Sequence, residues 1–173
     1  LAESYNNIGE YEKSAATFFE YITGADKGKY PADLRAESLV FMAGAFADLD
    51  DGIFTAEKFM NDKNVAFKDT LYFEIGMKNK SRDRLDEALK SFKRLLEISP
   101  NYINAPKAHI SMISIYEDKK RYDEAQESRF TLVKNFDASS DWYSANRKNE
   151  EVVKIASDAI NQAYFDIPQH YHR

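Results

Sequence analysis

Three stretches of the chain are versions of one phrase: "GEYEKSAATFFEYI" from residue 9, "DRLDEALKSFKRLL" from residue 83 and "KRYDEAQESRFTLV" from residue 120. Each has a turn residue, then an aromatic or leucine (Tyr11, Leu85, Tyr122), then an acid, then a small residue (Ser14, Ala88, Ala125), then a further apolar stripe. "DGIFTAEKFM" from residue 51 is a weaker copy, with Ile53, Ala56 and Met60 at the corresponding places. The small residues Ser14, Ala56, Ala88 and Ala125 are 42, 32 and 37 residues apart, the spacing of a helix pair rather than of a coiled-coil heptad. A unit of that size cannot bury its apolar face alone, so neighbouring units must stack on one another.

Apolar residues recur at three and four positions through most of the chain, and prolines stand only at 31, 100, 106 and 168. The spacing predicts helices at roughly 11–24, 33–48, 53–61, 67–79, 84–97, 104–118, 122–135 and 149–166, about eight or nine in all, joined by short polar or Gly-bearing breaks. In "RLDEALKSFKRLLEISPN" the stripe Leu85, Ala88, Leu89, Phe92, Leu95 and Leu96 lies on one face, and Pro100 closes the helix. A composition of 43% hydrophobic and 14% aromatic residues in 173 is that of a globular chain.

At this point the chain resembles the tetratricopeptide repeat family, whose units are two antiparallel helices. The best match is Tyr72, Ile75, Gly76, Ala88, Phe92 and Pro100, with Asn79 departing from the pattern at its third aromatic place. The next unit keeps Met112, Tyr116, Tyr122, Ala125 and Leu132, but carries His109 where the pattern has Trp and Arg129 where it has Phe. An earlier unit offers Val40, Ala43, Gly44, Ala47 and Ala56, and the tail carries a stripe of Val152, Ala156, Ala159, Ile160, Ala163, Tyr164 and Ile167. The resemblance implies an all-α fold: a right-handed superhelical array of antiparallel helix pairs, with units at about 1–30, 34–64, 69–102, 105–138 and a partial 139–173. In physical terms, Gly or Ala at 44, 56, 76, 88 and 125 would let helices approach closely, while Tyr72, Phe92, Tyr116 and Tyr122 would fill the wedge between pairs. The chain starts without Met and inside a repeat, and the last helix lacks a partner, so it reads as a piece of a longer protein.

The chemistry-bearing residues point away from catalysis. No cysteine is present, which excludes disulfides, thiolate metal sites and a cysteine nucleophile. Lys plus Arg is 24 against 29 Asp plus Glu, and a net charge of −5 is poorly suited to phosphate backbones, so nucleic acid is not the expected partner. No run is long and apolar enough to span a membrane.

His109 stands where a packing aromatic belongs, and His170 and His172, two apart, cannot share a metal on a helix. "DLDDG" at 48–52 lacks the ligand register and closing Glu of a calcium loop, and the six glycines form no phosphate cradle. "NKS" at 79–81 is formally a glycosylation sequon in a turn. The basic run of Lys78, Lys80, Arg82 and Arg84 is interleaved with acids, which suits a solvated face or an acidic peptide. No metal, cofactor or enzymatic activity is expected.

In the family this chain resembles, a concave groove is lined by the first helix of each pair. Carried over by position, that implies Ser38, Phe41, Ala45 and Asp48, then Thr70, Phe73, Met77 and Lys80, then Lys107, Ile110, Ser114 and Glu117. Of these, Phe41, Phe73, Met77 and Ile110 would be exposed apolar anchors for a partner peptide, the alternative being that they pack as core. The implied function is a protein–protein interaction module or scaffold, with a resemblance to bacterial cell-envelope members of the family and hence an envelope rather than a cytoplasmic setting. The alternative is a regulatory or substrate-docking arm of an enzyme whose catalytic domain lies elsewhere in a longer chain. Self-association through apolar faces near Leu1 and along 156–167 is a further expectation.

Overall fold

The computed structural model describes residues 1–170, with side chains to residue 167. Among the described residues there are ten α-helices and no strand: α1 (Ala2–Asn7), α2 (Tyr11–Asp26), α3 (Arg35–Ala47), α4 (Gly52–Met60), α5 (Lys68–Ser81), α6 (Leu85–Ile98), α7 (Ala105–Asp118), α8 (Tyr122–Phe136), α9 (Asp141–Asn146) and α10 (Glu150–His170). Seven of the eight expected spans agree with an observed helix to within two residues at each end, and that of α10 matches at its start within the same margin. The addition is α9.

The repeated phrase in the sequence corresponds to a repeated backbone turn. After α1, α5 and α7 the chain passes through a left-handed residue, at Gly9 (φ 78°), Asp83 (φ 59°) and Lys120 (φ 57°). The next residue donates its N–H five positions back, Glu10 to Tyr5 O at 2.9 Å, Arg84 to Asn79 O at 2.9 Å and Arg121 to Tyr116 O at 2.7 Å. The left-handed residue itself donates three back, to Asn6, Lys80 and Glu117. This is the Schellman arrangement, which satisfies carbonyls that a helix end leaves open. In all three cases the following helix begins at once, at Tyr11, Leu85 and Tyr122.

The chain divides into two compact units, residues 1–91 and 92–173, with the boundary inside α6. In the first unit α2 packs on α1 and α3, and α3 also packs on α4 and α5. Eight residues of α3 are buried, because helices cover it on several sides. Its C-terminal carbonyls are closed from outside the helix: Arg82 Nη1 donates to Gly44 O at 3.4 Å and pairs with Asp48 Oδ1 at 2.8 Å, while Arg84 donates to Ala47 O. Gly44 O also accepts from the Asp48 N–H, so Arg84 closes the open carbonyl and both guanidinium groups meet the negative end of the helix dipole. Half of the basic run is therefore engaged within the fold. "DLDDG" is the turn into α4, in which a Cβ at Gly52 would meet Phe46 O at 1.9 Å, so that glycine is demanded by packing. Gly44 is different: a Cβ there meets only the Arg82 side chain at 3.8 Å, so close helix approach does not require it.

In the second unit α7 pairs with α8, and α10 packs on both. A core of Ala105, Leu132, Phe136, Trp142, Val152, Ala156 and Ala163 joins these helices to α9. The ring of Trp142 stands edge-on to Phe136 with centroids 5.3 Å apart, and its Nε1 donates to Tyr102 O at 2.9 Å. Ala56, Ala88 and Ala125 of the repeated phrase are fully buried, as are Tyr72 and Phe92. Tyr122 is half exposed, so it does not fill a wedge between helices.

Candidate functional site

The second unit carries an open groove of about 420 Å3 whose walls are α7 and α10 and whose base is α8. Ile110, Ile113, Ser114 and Glu117 come from α7, Arg129 and Leu132 from α8, and Ile155, Asp158, Ala159, Gln162, Ala163 and Asp166 from α10. The α7 residues recur at three and four positions because one face of that helix is turned into the groove, as the same spacing does for α10.

Arg129 is the centre of the groove's electrostatics. Its side chain is 11% exposed and is ion-paired with Glu117 of α7, with its Nε 3.8 Å from Asp166 Oδ2 of α10. Its Nη1 also donates to Gln126 Oε1 at 3.4 Å, and Gln126 Nε2 in turn donates to Ile167 O at 3.1 Å. A guanidinium has five donors in a fixed fork, so one side chain on α8 ties both walls together. Gln162 Nε2 donates to Asp166 Oδ1 at 2.9 Å, which fixes that carboxylate's other oxygen toward Arg129. Asp158 makes no ion pair among the described residues.

Behind this groove His109 packs edge-on to Phe136 at 5.3 Å, with Nδ1 3.4 Å from Ser128 Oγ. Burial pushes its pKa down to about 4, so it is a neutral aromatic at physiological pH.

A second depression, of about 340 Å3, lies in the first unit among α1, α2, α3 and α5. Phe41 lines it and is stacked on Phe18 with centroids 5.7 Å apart. Lys78 and Arg82 stand at its edge with Glu3, and Asn6 brings a buried Oδ1 that accepts no hydrogen bond.

The residues expected at a concave face separate into three groups. Ile110, Ser114 and Glu117 come together in the groove of the second unit. Phe41 (40% exposed) and Met77 (36% exposed) are accessible, and Asp48 is held by Arg82, while Thr70, Lys80 and Lys107 are half-buried. Phe73, at 6% exposure, is a core residue and not an exposed anchor, and Ser38 and Ala45 are buried as well. The reason is visible in "TLYFEIG": Leu71, Tyr72 and Phe73 are consecutive, and apolar residues on adjacent positions bury more than one face of a helix. Asn79 is also buried, so the sequon offers no accessible amide. His172 and the side chain of His170 lie outside the described residues.

Sequence reasoning missed Asp158, Gln162, Asp166 and Arg129 as groove residues. Arg129 was visible as a departure from the aromatic of the family pattern, and α10 as an apolar stripe. The stripe is narrower than read, because Tyr164 is 61% exposed. Comparison of the chain with protein-family models, with curated proteins and with solved structures gives no match.

Proposed function

We propose that this chain is a non-catalytic protein-interaction module that holds a peptide segment of a partner in the groove between α7 and α10. The observation that supports it most directly is the convergence of Ile110, Ser114 and Glu117, placed on one line by repeat position, in a groove that Ile113, Leu132 and Ile155 also line. Such a groove excludes water from an inserted side chain while leaving polar groups at its edge to set register. The recurring Schellman turn and the packing of α7 and α8 with α10 fit stacked helix pairs of the tetratricopeptide kind.

The test is a selection from a random displayed dodecapeptide library, followed by affinity measurement on Ile110→Asp, whose partly exposed side chain can be changed without opening the core. Peptides recovered on the unmodified protein should lose binding to Ile110→Asp. Equal binding to both proteins overturns the groove as the site.

A further inference from the structure

The charge arrangement of the groove specifies its occupant further than apolar character does, and this step rests on the groove reading above. Three carboxylates, Glu117, Asp158 and Asp166, face one guanidinium, Arg129. Arg129 is already shared between Glu117 and Asp166, so the groove as a whole is negative and Asp158 carries its charge without a partner among the described residues. An acidic peptide entering here would bring like charge against three carboxylates, whereas a basic one supplies the missing countercharge.

The groove also has a direction. Glu117 and Asp166 meet on Arg129 at one end. Ile110 is seven residues back along α7, and Ile155 eleven back along α10, so the aliphatic end lies about 10 Å or more from the acidic end at ~1.5 Å per helical residue. Asp158 sits between them, eight residues or about 12 Å from Asp166. Along an extended peptide, at roughly 3.4 Å per residue, that distance is three to four residues.

We infer that the groove takes a basic peptide segment, in which a bulky apolar side chain seats against Ile110, Ile113 and Ile155 and two Lys or Arg residues three to four apart follow it, one over Asp158 and one at the Glu117–Asp166 end. Exposed Asp158 is the residue to vary, since Glu117 and Asp166 also hold Arg129. The same dodecapeptide selection is run on the unmodified protein and on Asp158→Lys, with circular dichroism of the variant to confirm its helical content. Winners on the unmodified protein should be enriched in an apolar residue followed by spaced Lys or Arg. They should bind Asp158→Lys about tenfold more weakly, as lost attraction and added repulsion at an exposed site combine, and should weaken as salt rises.

Neutral or acidic winners that depend on Ile110, or basic winners indifferent to Asp158→Lys, overturn the charge assignment and leave the groove reading standing. Winners indifferent to Ile110→Asp, or a selection that enriches nothing, overturn both.

Discussion

His109 occupies an aromatic's place with an imidazole that the fold keeps uncharged. Its pKa of about 4 lies below the ordinary 6.5, so as pH falls the unfolded chain takes up the proton first. The neutral-ring stability is fully present above pH 6.5, declines between 6.5 and 4, and is gone below about 4. That interval, at about 1.4 kcal/mol per pH unit, amounts to about 3 kcal/mol. His109→Phe should remove this part of the acid sensitivity, seen as a flatter plot of urea midpoint against pH between 4 and 6.5; an unchanged slope would place the sensitivity elsewhere. Lys120 gives a second prediction at this scale. A non-glycine at φ 57° carries strain that glycine avoids, less the entropy glycine adds to the unfolded chain, so Lys120→Gly should stabilise by about 0.5–1 kcal/mol in urea unfolding. Asp83→Gly should gain less, because aspartate tolerates this region better.

Among the elements, α9 shows most clearly what local sequence does not carry. Six residues are too few to form a helix unaided, and the preceding "DASSD" reads as loop. Its existence depends on Trp142 entering the core, on Asn146 donating to Asn101 O at 3.0 Å, and on Ser140 Oγ accepting from Tyr143 N at 3.1 Å. Trp142→Ala should therefore cost about 3–5 kcal/mol and Ser140→Ala about 1 kcal/mol, compared by circular dichroism in urea; equal losses would make the cap, not the core, the anchor. The long amphipathic helices α2, α6, α7 and α8 were legible because their apolar spacing is a local property. Which residues of α3 meet water was not, since α2, α4 and α5 all pack on that helix and leave eight of its residues buried; in α5 the run Leu71, Tyr72 and Phe73 shows that more than one face is covered but not by what. Of the four α7 positions that repeat position put on one line, Ile110, Ser114 and Glu117 share a helix face that lines the groove, because their spacing is local, whereas Lys107 lies outside the lining. Arg129 and Asp158 become groove residues only when α8 and α10 fold beside that line.

At the scale of the whole chain, each of the two units buries a large aromatic, Phe46 in the first and Trp142, the single tryptophan, in the second. Where stability is a sum of local terms, damage in one core need not melt the other. Phe46→Ala should bring forward part of the far-UV transition in urea while leaving the fluorescence transition of Trp142 in place. Coincident, equally shifted transitions would instead show one cooperative block. The recurrence of one turn after α1, α5 and α7 bears on how such a chain can have grown. The stretch from Asp83 to Lys120 begins and ends on the same backbone state. A tandem duplicate cut at those two points would rejoin through a joint the chain already makes, so lengthening by recombination requires no new connection to evolve.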